Sequence, residues 1–171
     1  MWRITSWLQK LGGGHVGKPS IEDVANYFLT QVDDDAGSVM THLKLQKLCY
    51  YAQAWHLVWN DGHPLFNDEF EAWVHGPANR RLFTKYKEYG SSPILCPKGF
   101  DDGVFTVEQK ETLNAVWEAY GVYDAKYLEG LAHQEDPWIK ARGDKKPYEA
   151  CDTVISRESM QIYYSALQDA R

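Results

Sequence analysis

A glycine-rich run near the start of the chain has nearly the spacing of a phosphate-binding loop. Residues 12–18 read GGGHVGK, which places glycine and lysine where such a loop carries them. The loop also needs Ser or Thr after the lysine to hold Mg²⁺, whereas Pro19 follows here. Residues 7–11 are too polar and too short for the buried strand that precedes such a loop. The run is interpreted as a linker, and a nucleotide-binding enzyme is kept as the alternative.

Histidine and cysteine are the other residue types that could do chemistry. No two of the six histidines have the HxxxH or HExxH spacing that puts two metal ligands on one face of a helix. Cys49, Cys96 and Cys151 form no CxxC pair, and no GxSxG nucleophile motif is present. Cys49 falls on an apolar helix face, where a thiol is usually inert. We therefore predict no catalytic residue, no metal and no cofactor, and a protein that is not an enzyme.

Two further clusters combine aromatic, proline and arginine residues, which are types enriched among interface anchors. The first lies within residues 73–81 and the second within residues 134–142. The residues predicted to contact a partner protein are Trp73, His75, Asn79, Arg80, Arg81, Gln134, Trp138 and Arg142. The competing interpretation is that both tryptophans belong to the core and that the arginines are solvated.

Capping residues indicate that these clusters are carried mainly by helices. Ser20 with Asp23 approximates a capping box, and apolar residues at helical spacing follow as far as Val32. Thr106 with Gln109 has the same pattern. Further helices are predicted to start at the caps Thr41, Asp124 and Ser156 and, with proline in the first position, at Pro77.

The helix over about residues 41–60 is the most informative element. Its apolar side chains fall on two separate arcs, with Gln46 and Gln53 in one polar stripe between them and Lys44 and Lys47 in the other. Two apolar faces predict packing on both sides, at the centre of a bundle. We predict a mainly α, compact single-domain helical bundle around this central helix. Residues 91–105 hold two prolines and two glycines, which predicts a loop or one short β-hairpin near 94–105.

Length and charge limit the classes of protein that fit. The 171 residues suit one domain, which we place at 19–171 after a flexible N-terminal extension at 1–18. A formal net charge of -6 argues against broad binding to nucleic acid or anionic lipid. No apolar stretch approaches the roughly 20 residues that cross a bilayer. The odd cysteine count and the lack of a signal-like start favour a soluble protein of the reducing cytoplasm.

Four sequence blocks stand out, namely THLKLQKLCYYAQAWH at residues 41–56, GHPLF at 62–66, FEAWVHGP at 70–77 and LAHQEDPW at 131–138. In this order and spacing they resemble the signature of the Panacea, or SocA-like, antitoxin family. The similarity extends from about Val24 to Tyr164. The run Ala78-Asn79-Arg80-Arg81 departs from the family, which more often has apolar residues and a proline there. Partner contacts at that run are expected to differ.

The resemblance implies a compact helical domain that binds a protein toxin encoded nearby and blocks it by direct contact. The SocA branch also implies an adaptor that delivers its toxin to a Clp-type protease, and members occur in prophages and mobile elements. The acidic balance would suit a toxin with a basic active site. A DNA-binding regulator using Arg80, Arg81, Lys85 and Lys87 is the remaining alternative. The net charge of -6 and the lack of a fused helix-turn-helix segment count against it.

Overall fold

A computed structural model describes residues 17–32 and 39–170 of the chain. Residues 1–16, which make up most of the predicted flexible extension, lie outside the described part. Within it the chain is mainly helical, with a small sheet, as predicted. The helices are α1 Ile21–Thr30, α2 His42–Trp59, α3 Arg80–Tyr86, α4 Val107–Tyr120, α5 Ala125–Ala132, α6 Asp136–Arg142 and α7 Arg157–Asp169. The strands are β1 Phe70–Trp73, β2 Gly76–Ala78 and β3 Val154–Ile155, and two short 3-10 turns span Lys87–Tyr89 and Asp102–Val104.

The predicted helix starts are confirmed wherever a side chain caps the first turn. Ser20 and Thr106 both form full capping boxes, at α1 and α4. Thr41, Asp124 and Ser156 accept hydrogen bonds from the backbone amides of Lys44, Tyr127 and Ser159, at the starts of α2, α5 and α7 respectively. Each cap satisfies an amide that has no partner within its own helix, which is why a local sequence signal was sufficient.

The central position predicted for α2 is confirmed. Every residue from Lys44 to Leu57 is buried, and α2 packs against α1, α3, α4, α5, α7 and β2. The polar stripes are therefore buried as well as the apolar arcs. Gln53 shows how such a side chain is satisfied, because its amide accepts from the Leu65 backbone amide at 2.8 Å and donates to the Phe66 carbonyl at 2.9 Å.

The hairpin of this fold lies at residues 70–78, which corrects the prediction of one near 94–105. Residues 94–105 form a loop with a 3-10 turn, fixed at Ile94 by a 2.8 Å bond from its amide to the Met40 carbonyl. In the actual hairpin β1 pairs antiparallel with β2, and β1 also pairs antiparallel with β3, giving the order β2-β1-β3. The turn depends on Gly76, whose φ of +90° is strained for any other residue.

Pro77 lies in strand β2, so the helix predicted to start there begins later. Asn79 is the actual cap of α3, since its side chain accepts from the Leu82 amide. Proline fits an edge strand where its missing N–H is not needed by a neighbouring strand. The chain also forms α6, with Pro137 in its first turn, at a position where no helix start was predicted.

Candidate partner-binding cleft

Side chains from distant elements hold the 70–79 segment in place. Five of its carbonyl groups accept hydrogen bonds from side chains outside the hairpin, and an unpaired buried carbonyl would be costly. The five bonds are Arg142 to Ala72 at 2.8 Å, Trp138 to Trp73 at 2.9 Å, His133 to Val74 at 3.0 Å, Lys47 to Pro77 at 2.9 Å and Gln46 to Asn79 at 2.9 Å. The hairpin is therefore fixed between α2 and the α5–α6 region.

The α6 side of this support is a stack of three side chains. The rings of His133 and Trp138 stack with centroids 4.2 Å apart, and the Arg142 guanidinium lies 4.9 Å from the Trp138 ring. Arg142 also donates to the carbonyls of Lys146 and Glu149, both at 2.7 Å. One buried guanidinium thus joins β1, α6 and the segment after α6.

A cleft of about 650 Å³ opens beside the hairpin. One wall is the first half of α2, the opposite wall is the hairpin with α3, and residues 150–152 and Gly90 complete it. Trp73 and Phe83 form an edge-to-face pair in its lining, with ring centroids 5.0 Å apart. Phe83 is 41 % exposed, so an apolar surface faces outward at this site. Clefts of this size and lining are typical of binding sites.

Lys47 is the least exposed basic residue of the cleft lining. Its side chain is 1 % exposed, and burial lowers the pKa of the amine to about 7, against an opposing effect of the Glu129 carboxylate. Burial also lowers the pKa of His42, with a smaller contribution from the charge of Lys47. At the rim, Arg80 lies 2.6 Å from a Glu71 oxygen and 3.6 Å from an Asp152 oxygen. Ionic groups therefore surround an otherwise apolar lining.

The structure brings together three of the eight residues predicted to contact a partner. Trp73, His75 and Arg80 all line the cleft. His75 is largely exposed while its Nδ1 lies 2.8 Å from a Glu129 oxygen. Arg81 lies outside the cleft lining, where it pairs with Glu22 at 2.5 Å. Gln134 is exposed at the turn between α5 and α6, with its amide donating to the Gly130 carbonyl at 2.9 Å.

The other three predicted residues are buried. Asn79, Trp138 and Arg142 are 5 %, 7 % and 5 % exposed, because each supports the hairpin or caps α3 as described above. The competing interpretation of Trp138 as a core residue therefore fits its position. Arg142 fits neither alternative, since it is an arginine that binds buried carbonyls and is not solvated. Partner contact by any of the eight residues stays a prediction.

Four residues of the cleft lining were not among those predicted from the sequence: Lys47, His42, Phe83 and Cys151. A usable signal existed for Lys47, because a polar residue between two apolar arcs of a central helix must be buried and must find a partner. No local pattern pointed to Cys151, which reaches the cleft only through the pairing of β3 with β1.

In residues 17–32 and 39–170 no group of three or more His, Cys, Asp or Glu residues is placed to hold a metal ion. Over the same ranges no helix is long and apolar enough to cross a membrane. All three cysteines are free, and burial raises the pKa of the Cys49 thiol.

The architecture defines a class of small helical domain, in which a buried central helix supports a short hairpin next to an open cleft. A family model described as "Antitoxin SocA-like, Panacea domain" matches residues 45–139, which is more than half of the chain. The protein belongs to this family, and that membership supports a role related to toxin–antitoxin systems. Neither curated proteins nor solved structures gave a match. The matched range includes most of α2, the whole hairpin and Trp138 of α6.

Proposed function

We propose that this protein is an antitoxin that neutralises a protein toxin by direct binding, and that the cleft beside the hairpin is its contact surface. Membership of the antitoxin-like family supports the role. The observation that carries the choice of surface is the pair formed by Trp73 and Phe83, an aromatic lining that faces outward from a hairpin fixed by buried donors. Aromatic anchors on a rigid support are the usual centre of a binding surface.

Rigidity matters because ordering a loop on binding consumes part of the interaction energy. The five side-chain bonds to the 70–79 segment already order it in the free protein. A surface that buries roughly 800 Å² on each partner can then occlude a toxin without chemistry of its own. In this proposal the protein is not an enzyme, it acts in the cytoplasm, and its toxin is encoded beside it on a prophage or other mobile element.

A proteolytic adaptor is the second candidate, because a second exposed aromatic surface lies outside the cleft lining. Tyr123 and Tyr127 stack at the start of α5 with centroids 4.2 Å apart, and Val122 beside them is 79 % exposed. An adaptor needs one surface for the toxin and another for a Clp-type protease. The two roles differ in toxin turnover: an adaptor makes toxin degradation depend on the protease, whereas a blocking antitoxin leaves the toxin intact in the complex.

Co-expression tests the proposal. The product of the neighbouring gene is induced alone, with the wild-type protein, and with Phe83→Asp. We expect the toxin alone to stop growth, the wild-type protein to restore it, and the variant to restore it poorly at equal protein level. Ile162→Asp is the matched control, because Ile162 is 63 % exposed on α7 and does not line the cleft. Failure of the wild-type protein to restore growth would sink the proposal.

A further inference from the structure

The ammonium group of Lys47 is incompletely satisfied in the free protein. It carries three N–H donors, and its hydrogen bond in this structure is the one to the Pro77 carbonyl at 2.9 Å. Its side chain is 1 % exposed and lines the cleft. Within residues 17–32 and 39–170 no carboxylate lies within 4.0 Å of its nitrogen. Burying an unpaired charge is costly unless an anion joins it.

The carboxylate of Glu129, which is near Lys47, already has other partners. Glu129 influences Lys47 through its charge, but one of its oxygens is 2.8 Å from His75 and the other is 3.0 Å from Lys126. Arg80, whose guanidinium is the other basic group of this kind in the lining, has Glu71 and Asp152 beside it. Among the described lining residues, Lys47 is therefore the lysine or arginine that has no carboxylate beside it.

Lys44 shows that this arrangement is not general for buried lysines of α2. Its side chain is also buried and donates to a carbonyl, that of Gly121, at 2.6 Å. Its nitrogen additionally lies 5.8 Å from the centre of the Trp117 ring, and it does not line the cleft. The two lysines thus lie on the same helix with their side chains buried, and of the two only Lys47 lines the cleft.

We propose, building on the antitoxin function above, that the cleft receives an acidic side chain of the toxin, whose carboxylate binds the Lys47 ammonium. An apolar side chain next to that acid packs on Trp73 and Phe83. The protein as a whole carries a formal net charge of -6, which favours a partner with a basic surface. The side chain that binds in the cleft is acidic, so its charge is opposite to that of such a surface. A toxin with a basic surface can therefore still insert one acidic residue here.

The test measures the affinity of the purified wild-type protein and its variants for the toxin. Lys47→Met removes the charge at similar side-chain volume, and Lys44→Met is the matched control. Truncating one partner of a buried charge pair weakens binding by about 30-fold or more. We expect that loss for Lys47→Met and a loss below about threefold for Lys44→Met, with both variants folded by circular dichroism.

Substitutions that remove single negative charges from the toxin complete a double-mutant cycle. Each exposed Asp or Glu of the toxin is changed to Asn or Gln and measured against wild type and Lys47→Met. One acidic residue should weaken binding to the wild-type protein about 30-fold and have little further effect on Lys47→Met. If no acidic residue couples to Lys47, or if Lys47→Met binds as well as wild type, the inference is wrong while the antitoxin function stands. Absence of binding by the wild-type protein would instead contradict the antitoxin function itself.

The pH dependence of the affinity for the toxin gives an independent readout, because a lysine with only a structural role would not produce it. The amine has a pKa of about 7 in the free protein, and a bound carboxylate raises it. The complex then takes up a proton above pH 7, so affinity should fall by up to about tenfold per pH unit between pH 7 and 8.5. Of the groups facing Lys47, Glu129 is ionised in this range, and burial lowers the pKa of His42 and His133. Lys47→Met should remove the slope, and an unchanged slope would overturn the inference.

Discussion

Lys47 and Gly76 are packed so closely that the glycine cannot carry a side chain without displacing the lysine. A β-carbon built at position 76 would lie 3.0 Å from Lys47 Cε and 3.1 Å from its Nζ. Gly76 also has a φ of +90°, a conformation that side chains rarely adopt. The central helix and the hairpin turn are therefore in close contact at these two residues, both of which line the cleft.

Gly76→Ala should therefore destabilise the protein. Backbone strain and displacement of a buried lysine together predict a loss of about 2 kcal/mol or more in the free energy of unfolding, measured by urea denaturation. Gly130→Ala is the control, since Gly130 lies inside α5 with nothing within 4 Å of an added β-carbon. That change should leave stability equal or raise it by up to about 1 kcal/mol. Equal losses in the two variants would refute the packing argument.

Arg142→Met should be among the most damaging changes outside the apolar core. It leaves the carbonyls of Ala72, Lys146 and Glu149 without their donor, which predicts a loss of about 3 kcal/mol in the free energy of unfolding. Lys140→Met, on the same helix, removes only an exposed pair with Asp136. Its effect should stay within about 0.5 kcal/mol. A variant Arg142→Met as stable as Lys140→Met would show that the guanidinium does not hold the hairpin.

Glu135 should make stability depend on pH. Burial raises the pKa of this carboxyl to about 7, against the lowering effect of the Tyr164 and Tyr51 hydroxyls, which lie 2.6 and 3.2 Å from one of its oxygens. The folded state then binds more protons than the unfolded state from about pH 4.5 to 7, so this contribution to stability is present below that range and is lost as pH rises through it.

Glu135→Gln mimics the protonated carboxyl and isolates this effect. The variant should match wild type near pH 4.5 and exceed it by up to roughly 3 kcal/mol at pH 8, measured as the difference in free energy of unfolding at each pH. Taking the difference removes other titrating groups, such as His56, whose pKa burial lowers to about 4. Glu158→Gln, at an exposed position on α7, is the control. A difference that does not change with pH would contradict the burial argument.

Local chemistry explains which parts of the fold the sequence could predict. Helix caps such as Ser20 and Thr106 act within three residues, so they are readable without the fold. The hairpin and β3 were missed because strands of two to four residues have almost no pattern of their own. Their pairing depends on contacts such as Phe70 with Ile155, which are distant in the sequence. Pro77 suits both a helix start and an edge strand, and only those distant contacts decide between them.

Only part of the candidate cleft could be predicted from the sequence, as was the case for the fold. Residue types alone pointed to Trp73, His75 and Arg80, which do line the cleft. The same reasoning selected Trp138 and Arg142, since aromatic and arginine residues are equally suited to an interface and to a buried support. Distinguishing the two uses required the carbonyl positions of the hairpin, which no single sequence provides.

The affinity of the purified toxin for Phe83→Asp, relative to wild type and Ile162→Asp, tests the central claim most directly. Calorimetric titration against all three proteins gives the dissociation constants. If the cleft is the contact surface, wild type and Ile162→Asp bind with constants equal within about threefold, and Phe83→Asp binds about 30-fold more weakly or worse. Tight binding that is equal for all three proteins, or no binding by the wild-type protein, would contradict the account.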